Sequence, residues 1–452
     1  MLLNPALFRP RSLMARLVKF LTGATGLLIA ITIGTLLVRM VSSVTLAHLL
    51  DPSAFGLMGI INSIFFTIVM LTDLGFQAHV VRHPDGDDPY FGDVIWTIHM
   101  TRGLAICLFS VLAAPVLAML LHKPELAWPL AVASLTLGIN GLTSLALFTT
   151  LRRGGVRRLS IFEFALVVFQ TAASILLAMW LRSAWALVYA MLAQSVLRTV
   201  LSYFVFHNPR RRLARDRAIS SEFFAFSRVV MMSSTTTLIL SQADRFVLAR
   251  AFTLAEFGLY AIAINLATAP ASFVNSFVTR VTYPIFARTW NRTPERLPQV
   301  FYTAGRKTAW LYAAGCGALV GAAPLIVHIL YDPRYAQAGT FLSLLAVSAV
   351  LKLPTFSTSM MMTAIGKVRT TLYVNIVRII WLATVGTLAF LKFHAIGLIA
   401  TVGLIEVPAL LYSWYVLRRE GILNLREEFT YLTIAAASAS ALGSCTYLLL
   451  PR

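Results

Sequence analysis

The sequence predicts an all-α integral membrane protein, and three observations support this fold class. Of the 452 residues, 58% are hydrophobic and only 12% are charged, and the mean hydropathy is +0.78. Such a composition is typical of a polytopic membrane protein and excludes an ordinary soluble domain. The apolar residues form thirteen continuous stretches, and the basic residues gather in alternate connections between them. Continuous stretches indicate helices, because the strands of a membrane barrel would alternate apolar and polar positions.

Each stretch is long enough for a transmembrane helix, which needs roughly 20 mostly apolar residues. In chain order the predicted spans are 19–48, 55–75, 94–121, 126–150, 159–181, 184–206, 222–249, 257–283, 307–331, 339–365, 371–391, 395–417 and 429–450. Arg9, Arg11 and Arg16 precede the first span and Lys19 begins it; the span is too long for a cleaved signal peptide and is expected to remain as an anchor.

The basic residues predict the orientation, because Lys and Arg accumulate in cytoplasmic loops. With the N-terminus in the cytoplasm, the loops on that side hold 24 of the 38 basic residues and the opposite loops hold 6. The remaining 8 lie inside predicted spans. The net charge of +20 is therefore spread over short loops that face anionic lipid, and this distribution argues against binding of nucleic acid.

Two phrases occur twice and predict an internal duplication. LAHLLDPSAFGL at 46–57 returns as LARAFTLAEFGL at 248–259, an offset of 202 residues. RGGVRRLS, with Gly154, returns as IGKVRTTL, with Gly366, an offset of 212. Each pair lies six spans apart, so both halves enter the membrane in the same direction, and we expect two six-helix bundles related by a pseudo-two-fold axis along the membrane normal. The predicted lobes are 1–210 and 211–420, and 421–452 adds a further transmembrane helix.

The run DPSAFGLMGI, the following LTDLGFQAHVV and the duplicated twelve-span plan resemble the polysaccharide transport branch of the Wzx-type oligosaccharide flippases. These belong to the superfamily that includes the drug and toxic compound extrusion (MATE) transporters. The resemblance implies a MATE-like fold in a bacterial inner-membrane protein. It also implies that the substrate, a polyprenyl-diphosphate-linked oligosaccharide, is moved to the periplasmic leaflet for exopolysaccharide, capsule or O-antigen assembly. The thirteenth span departs from the expected twelve.

Basic residues inside the spans are the candidate substrate site, because each would cost several kcal/mol facing lipid, about 2.5–3.5 on the insertion scale. Arg also matches phosphate oxygens with a fork of donors. The residues predicted to line a cationic cavity and hold the diphosphate are Arg39, Arg102, Arg198, Arg245, Lys352 and Arg378. Arg39 and Arg245 fall on matching faces of spans 1 and 7. Alternatives remain open: Arg39 anchors the outer end of its span, and Arg102, Arg198 and Arg378 serve helix packing.

Acidic residues in or near the spans are candidates for coupling transport to a proton or sodium gradient. Glu406 lies in the middle of span 12, two residues before Pro408. Asp244 is adjacent to Arg245, and pairing with that arginine is the alternative to a coupling role. Asp73 lies near a cytoplasmic end, where a solvated cap is the alternative.

The sequence also excludes several classes of function. No GxxxxGK[ST], HExxH or GxSxG motif occurs, and no metal spacing or cofactor signature is present. We therefore expect a secondary transporter that is not an enzyme, with membrane lipids and polysaccharide polymerase machinery as further partners. The acidic run HPDGDDPYFGD is interpreted as a turn, with a metal site as its alternative. Competing interpretations of the whole chain are a MATE-like exporter of small cations, a membrane glycan polymerase or ligase, and a scaffold.

Overall fold

The computed structural model describes residues 24–206 and 212–449, and these fall into two compact units. The first unit contains residues 24–50 and 64–235, and the second contains 51–63 and 236–449, each apart from the residues outside the described ranges. A short piece of the first half of the chain, Asp51–Ser63, thus belongs to the second unit. Residues 210 and 211, where the two lobes were predicted to meet, lie outside the described residues, and that boundary stays a prediction.

The described chain is helical almost throughout. The first half forms α1 (Ala24–Leu49), α2 (Pro52–Leu71), α3 (Phe76–Arg82), α4 (Pro89–Leu120), α5 (Ala127–Gly141), α6 (Ala146–Arg152), α7 (Val156–Leu181) and α8 (Trp185–Phe204). The second half forms α9 (Arg217–Ala251), α10 (Leu254–Phe277), α11 (Tyr283–Arg292), α12 (Leu297–Thr303), α13 (Arg306–Leu330), α14 (Gln337–Ala364), α15 (Arg369–Trp381), α16 (Thr387–Gly403), α17 (Glu406–Arg419) and α18 (Leu425–Leu449). Short π-helical segments, Val278–Thr282 and Leu382–Gly386, join α10 to α11 and α15 to α16.

Within the described residues, each predicted span overlaps one of these helices, a bent pair of them or, for spans 11 and 12, a part of α16 together with its neighbour. Among the described residues, ten segments are long and apolar enough to cross a membrane, or eleven if the bent pair Pro124–Gly141 and Ala146–Arg152 is one span. The 51-residue segment Arg369–Arg419 holds two predicted spans, because its length of about 77 Å at 1.5 Å per residue is more than twice the hydrocarbon thickness. Its backbone turns at His394, whose φ is 54°. The remaining span is α9, which is more polar.

The duplicated phrases adopt the same local structures. Helix α1 ends and α2 begins 202 residues before α9 ends and α10 begins. At the second phrase, Gly154 and Gly366 both have positive φ, 76° and 82°. The amide of Gly155 donates to the carbonyl of Thr150, and that of Lys367 donates to Met362, so both turns close with the same five-residue bond. These agreements confirm that the repeated letters mark repeated structure.

Gly56 and Gly258 occupy equivalent positions in the two FGL phrases, and within the second unit they pack on each other. A Cβ atom on Gly56 would lie 1.8 Å from the carbonyl oxygen of Leu254, and one on Gly258 would lie 1.9 Å from that of Pro52. Leu254 is the repeat equivalent of Pro52, so the contacts are reciprocal, as a local two-fold axis requires. Glycine is therefore required at both positions because two backbones touch there.

The second unit is built around α14, which contacts α10, α11, α13, α15, α16 and α17. Helix α18, the span beyond the twelve, packs along α13 through small residues. A Cβ on Gly317 or Gly321 would lie 2.1 Å from the carbonyl oxygen of Ala435 or Ala439, so the two helices approach to backbone contact. The extra helix is therefore an integral part of the second unit.

Candidate functional site

Three of the predicted site residues meet in the second unit. The Nζ of Lys352 on α14 lies 3.1 Å from Oε1 of Glu406, and Nη2 of Arg378 on α15 lies 2.6 Å from Oε2. The hydroxyl of Thr355 donates to Oε2 at 2.8 Å, and Arg378 also donates to Oδ1 of Asn375 at 2.9 Å. The side chain of Glu406 is 4% exposed, that of Arg378 13% and that of Lys352 29%. We call Lys352, Arg378 and Glu406 the ion cluster.

The local sequence explains why these groups converge. Lys352 and Thr355 are three residues apart on α14, so both face the same neighbour. Glu406 is the first residue of α17, where the helix dipole favours a carboxylate. Pro408 lies in the first turn of that helix, where its missing N–H breaks no intrahelical hydrogen bond. The helix therefore restarts inside predicted span 12 and places an acid there.

The ion cluster carries two positive charges and one negative charge. Two unit charges 4 Å apart interact by about 4 kcal/mol at the effective dielectric of a protein surface, so the carboxylate compensates much of the cost of burying its partners. One positive charge is left over. Lys352 is the most exposed member, so the surplus can attract an anion from its side of the cluster.

Asp244 forms its side-chain hydrogen bond with a residue other than its sequence neighbour Arg245, which was the predicted partner. Its carboxylate accepts a short hydrogen bond from the hydroxyl of Tyr260 on α10. The exposed fractions are 7% for Asp244 and 0% for Tyr260. Arg245 is half-buried on α9, and within the described residues no ion pair with Asp244 is formed. Sequence reasoning missed Tyr260, because tyrosine in an apolar span gives no sign of its partner.

Arg102 and Asp73 complete the end of α2. Arg102 donates to the carbonyl oxygen of Thr72 at 2.6 Å and to its hydroxyl at 2.9 Å, and it lies over the ring of Phe76. Asp73 accepts from the amide of Gly75 at 3.0 Å. Both residues therefore stabilise the turn into α3. This placement corresponds to the packing alternative for Arg102 and to the capping alternative for Asp73.

The other two predicted arginines belong to the first unit, whereas the ion cluster belongs to the second. Arg198 on α8 pairs with Glu163 on α7 at 2.6 Å, and both side chains are partly exposed. Arg39 is exposed on α1. It belongs to the first unit and Arg245 to the second, so their shared site stays a prediction.

The acidic run forms a turn. Asp88 caps α4 by accepting from the amide of Phe91 at 2.8 Å. Burial acts to raise the pKa of Asp87, but hydrogen bonds from Arg152 and Arg153 outweigh it and the pKa lies below its usual range. Arg152 also donates to Val81 and to Pro84 at 3.0 and 2.9 Å, so it ties this turn to the end of α3.

Residues 45–340 match the protein family described as "Polysaccharide biosynthesis protein". The chain belongs to this family. Among its curated relatives is the succinoglycan biosynthesis transport protein ExoT of Rhizobium meliloti (strain 1021), 24% identical over 88% of this chain and 80% of the relative. Another is the lipopolysaccharide biosynthesis protein WzxC of Escherichia coli (strain K12), 25% identical over 63% of this chain and 57% of the relative.

Two solved structures show the fold of this polysaccharide biosynthesis protein. The lipid II flippase MurJ in an inward closed conformation has a TM-score of 0.70 at 12% identity, over 94% of each chain. An inward-facing multidrug resistance MATE family transporter has a TM-score of 0.62 at 14% identity, over 91% of this chain and 96% of that one. The predicted MATE-like helical fold is confirmed.

Proposed function

We propose that this chain is a flippase that moves a polyprenyl-diphosphate-linked oligosaccharide from the cytoplasmic to the periplasmic leaflet of the bacterial inner membrane. Its product would enter exopolysaccharide, capsule or O-antigen assembly, with polymerase machinery as a downstream partner. The observation that carries the proposal is the ion cluster with its surplus positive charge, in a chain of the polysaccharide biosynthesis family. The names of the relatives, a succinoglycan transport protein among them, support the substrate class.

The chemistry of the cluster suits a diphosphate. Arg378 uses two of its guanidinium nitrogens on Asn375 and Glu406, which fixes its plane, while the ammonium of Lys352 keeps donors free to turn toward a ligand. A diphosphate arriving beside Lys352 would find a positive charge that Glu406 does not cancel. The lipid tail would stay in the bilayer while the charged head group crosses.

The proposed mechanism is alternating access of the two repeated halves, without a chemical step on the substrate. The N-terminus is proposed to be cytoplasmic, on the distribution of basic residues. A proton or sodium gradient is the proposed energy source. The two cations that hold Glu406 make a structural role the simpler one for that residue. Asp244 accepts from the Tyr260 hydroxyl and forms no ion pair among the described residues, although the charge of Arg245 acts on its carboxylate, so Asp244 is the better coupling candidate.

The test is flipping of a fluorescent polyprenyl-diphosphate oligosaccharide in proteoliposomes made with the purified protein. We expect Lys352→Met to reduce the initial rate at least tenfold, equivalent to about 1.4 kcal/mol of lost interaction. The matched control is Lys367→Met, because Lys367 pairs with Glu420 in the same unit but is half-exposed in a loop. Equal rates for both variants and the unmodified protein would contradict the proposed site. Pumping of small organic cations without lipid flipping would instead support a MATE-like exporter.

A further inference from the structure

A cavity lies in the second unit where α10, α11, α12, α13, α14 and α18 meet, and its wall on α14 includes Leu353 and Pro354, which follow Lys352. Its volume is about 80 Å³. A buried water needs roughly 10–15 Å³ on the same measure, so a group of several heavy atoms fits and an oligosaccharide does not. The walls are aromatic, and the residues that give them this character are Phe277, Phe286, Phe301, Tyr302, Trp310 and Tyr431.

The polar end of the cavity contains a buried carboxylate, Glu428, in the first turn of α18. Glu428 is 6% exposed. It accepts from the hydroxyl of Tyr302 at 3.1 Å and from the indole N–H of Trp414 at 2.9 Å. The Tyr302 hydroxyl itself accepts from the backbone amide of Asn424 at 3.1 Å, so its one proton is committed to Glu428. Both donors are neutral, and among the described residues no cation lies within ion-pair distance of this carboxylate.

The neighbouring charges do not balance Glu428. Arg306 at the start of α13 pairs with Glu427 at 3.2 Å and lies over the ring of Trp310. These two charges offset each other, which leaves the cavity with one uncompensated negative charge. A buried carboxylate without a cation is costly, and aromatic faces attract cations. The cavity is therefore complementary to a small organic cation.

The position of the cavity in the chain suggests where that cation comes from. Arg306 and Lys307 begin α13, and Arg418, Arg419 and Arg426 flank the connection into α18. These residues belong to the loops that the charge distribution predicts to be cytoplasmic. Trp310, near the start of α13, and Trp414, near the end of α17, lie at the helix ends next to these loops, as in the aromatic belt of a membrane interface. These positions predict that the carboxylate lies at the depth of lipid head groups.

We propose that this cavity binds the head group of a zwitterionic phospholipid with a primary ammonium. The ammonium donates to Glu428 inside the aromatic walls, and the phosphate meets Arg306, whose side chain is 45% exposed. Such a lipid bridges the beginnings of α13 and α18. The proposal concerns a resident lipid and does not depend on which substrate the protein transports.

The test measures lipid retention on the purified full-length protein by native mass spectrometry, after exchange into micelles doped with equal amounts of phosphatidylethanolamine, phosphatidylcholine and phosphatidylglycerol. We expect phosphatidylethanolamine to be retained at least fivefold over each of the others. Glu428→Gln should remove this preference, and Glu427→Gln, which leaves the buried carboxylate in place, should keep it. Retention of all three lipids in equal amounts by the unmodified protein would overturn the proposal without any variant.

Further experiments distinguish between a lipid and other possible sources of the cation. Thermal unfolding is followed with phosphatidylethanolamine vesicles, with soluble phosphoethanolamine and with sodium chloride at constant ionic strength. The lipid alone should raise the unfolding temperature, and Glu428→Gln should abolish the rise. Stabilisation by soluble phosphoethanolamine equal to that by the lipid, or by sodium alone, would overturn the lipid source. Stabilisation by low pH with no response to any lipid would show that the carboxylate holds only a proton, which also overturns the proposal. None of these readouts requires transport.

Discussion

The contact between Gly56 and Gly258 predicts that adding one methyl group at either position destabilises the protein. In Gly56→Ala the new Cβ would lie 1.8 Å from the carbonyl oxygen of Leu254, whereas ordinary contacts begin at 3.4 Å. The α2 and α10 backbones must therefore separate by about 1.6 Å, the difference between those distances. The obstructing atom belongs to a helix backbone and cannot rotate away. Overpacking typically costs about 1–3 kcal/mol, and we expect the upper end here.

Gly315→Ala is the matched control, because it makes the same chemical change in α13 at a position where a Cβ would meet nothing within 4 Å. Alanine favours a helix over glycine by about 1 kcal/mol, so this variant should be neutral or slightly stabilised. Gly56→Ala and Gly315→Ala should therefore change the stability of the protein in opposite directions. Gly258→Ala should resemble Gly56→Ala, and the double variant should cost less than the sum of the two, because one separation relieves both contacts.

The assay is thermal unfolding of each purified variant in one detergent, followed by tryptophan fluorescence. We expect a lower midpoint for Gly56→Ala and Gly258→Ala, with Gly315→Ala at or above the unmodified protein. A Gly56→Ala variant as stable as Gly315→Ala would show that the two helices do not touch at these glycines, and the structural explanation of the repeated FGL phrase would be wrong.

Three further predictions follow from buried or shared polar groups. Glu406→Ala should lower the free energy of unfolding by about 3–5 kcal/mol, because it leaves buried cations unpaired. Adding Lys352→Met should recover part of that loss in the same unfolding assay. Strictly additive effects of the two substitutions would contradict the ion cluster. Tyr260→Phe should cost about 1–3 kcal/mol, because the buried Asp244 carboxylate loses its side-chain donor, and a change below about 0.5 kcal/mol would show that this hydrogen bond contributes little. Arg152→Lys should make the turn after α3 more sensitive to limited proteolysis, because lysine lacks the fork of donors that reaches several carbonyls at once; an unchanged cleavage pattern would contradict this.

The helices and their repeat could be predicted from the sequence because both depend on local patterns. A stretch of apolar residues has to be long enough to span the hydrocarbon layer, so hydropathy alone indicates it. The turn at Gly154 has the same physical cause as that at Gly366, since positive φ favours glycine. The letters FGL likewise marked a place where only glycine fits, although the sequence could not say that the two copies touch each other.

The roles of individual charged residues were harder to predict, because they depend on where helices end and how they are rotated. Arg102 was a candidate for the cavity. However, α2 ends at Leu71, and the carbonyl groups at a helix end have no partners within the helix. Arg102 donates to the Thr72 carbonyl there. Glu406 is separated from Lys352 by 54 residues and from Arg378 by 28. No local pattern indicates which faces of three helices meet over such separations.

The repeat makes the position of the ion cluster informative. The offset of 212 residues, fixed by the two glycine turns, assigns each member of the cluster an equivalent position in the first half of the chain. Those positions hold Asn140, Leu166 and Gln194. The two halves share their helices and turns but not this charge, so the cluster is a specialisation of one half. A ligand with its charge at one end, as in a lipid diphosphate that carries neutral sugars, suits such a one-sided arrangement better than a ligand with two equivalent charged ends. On the proposed function, we therefore expect the ion cluster to contribute more to holding the diphosphate than the predicted pair Arg39 and Arg245, and replacing Arg39 should impair flipping less than replacing Lys352.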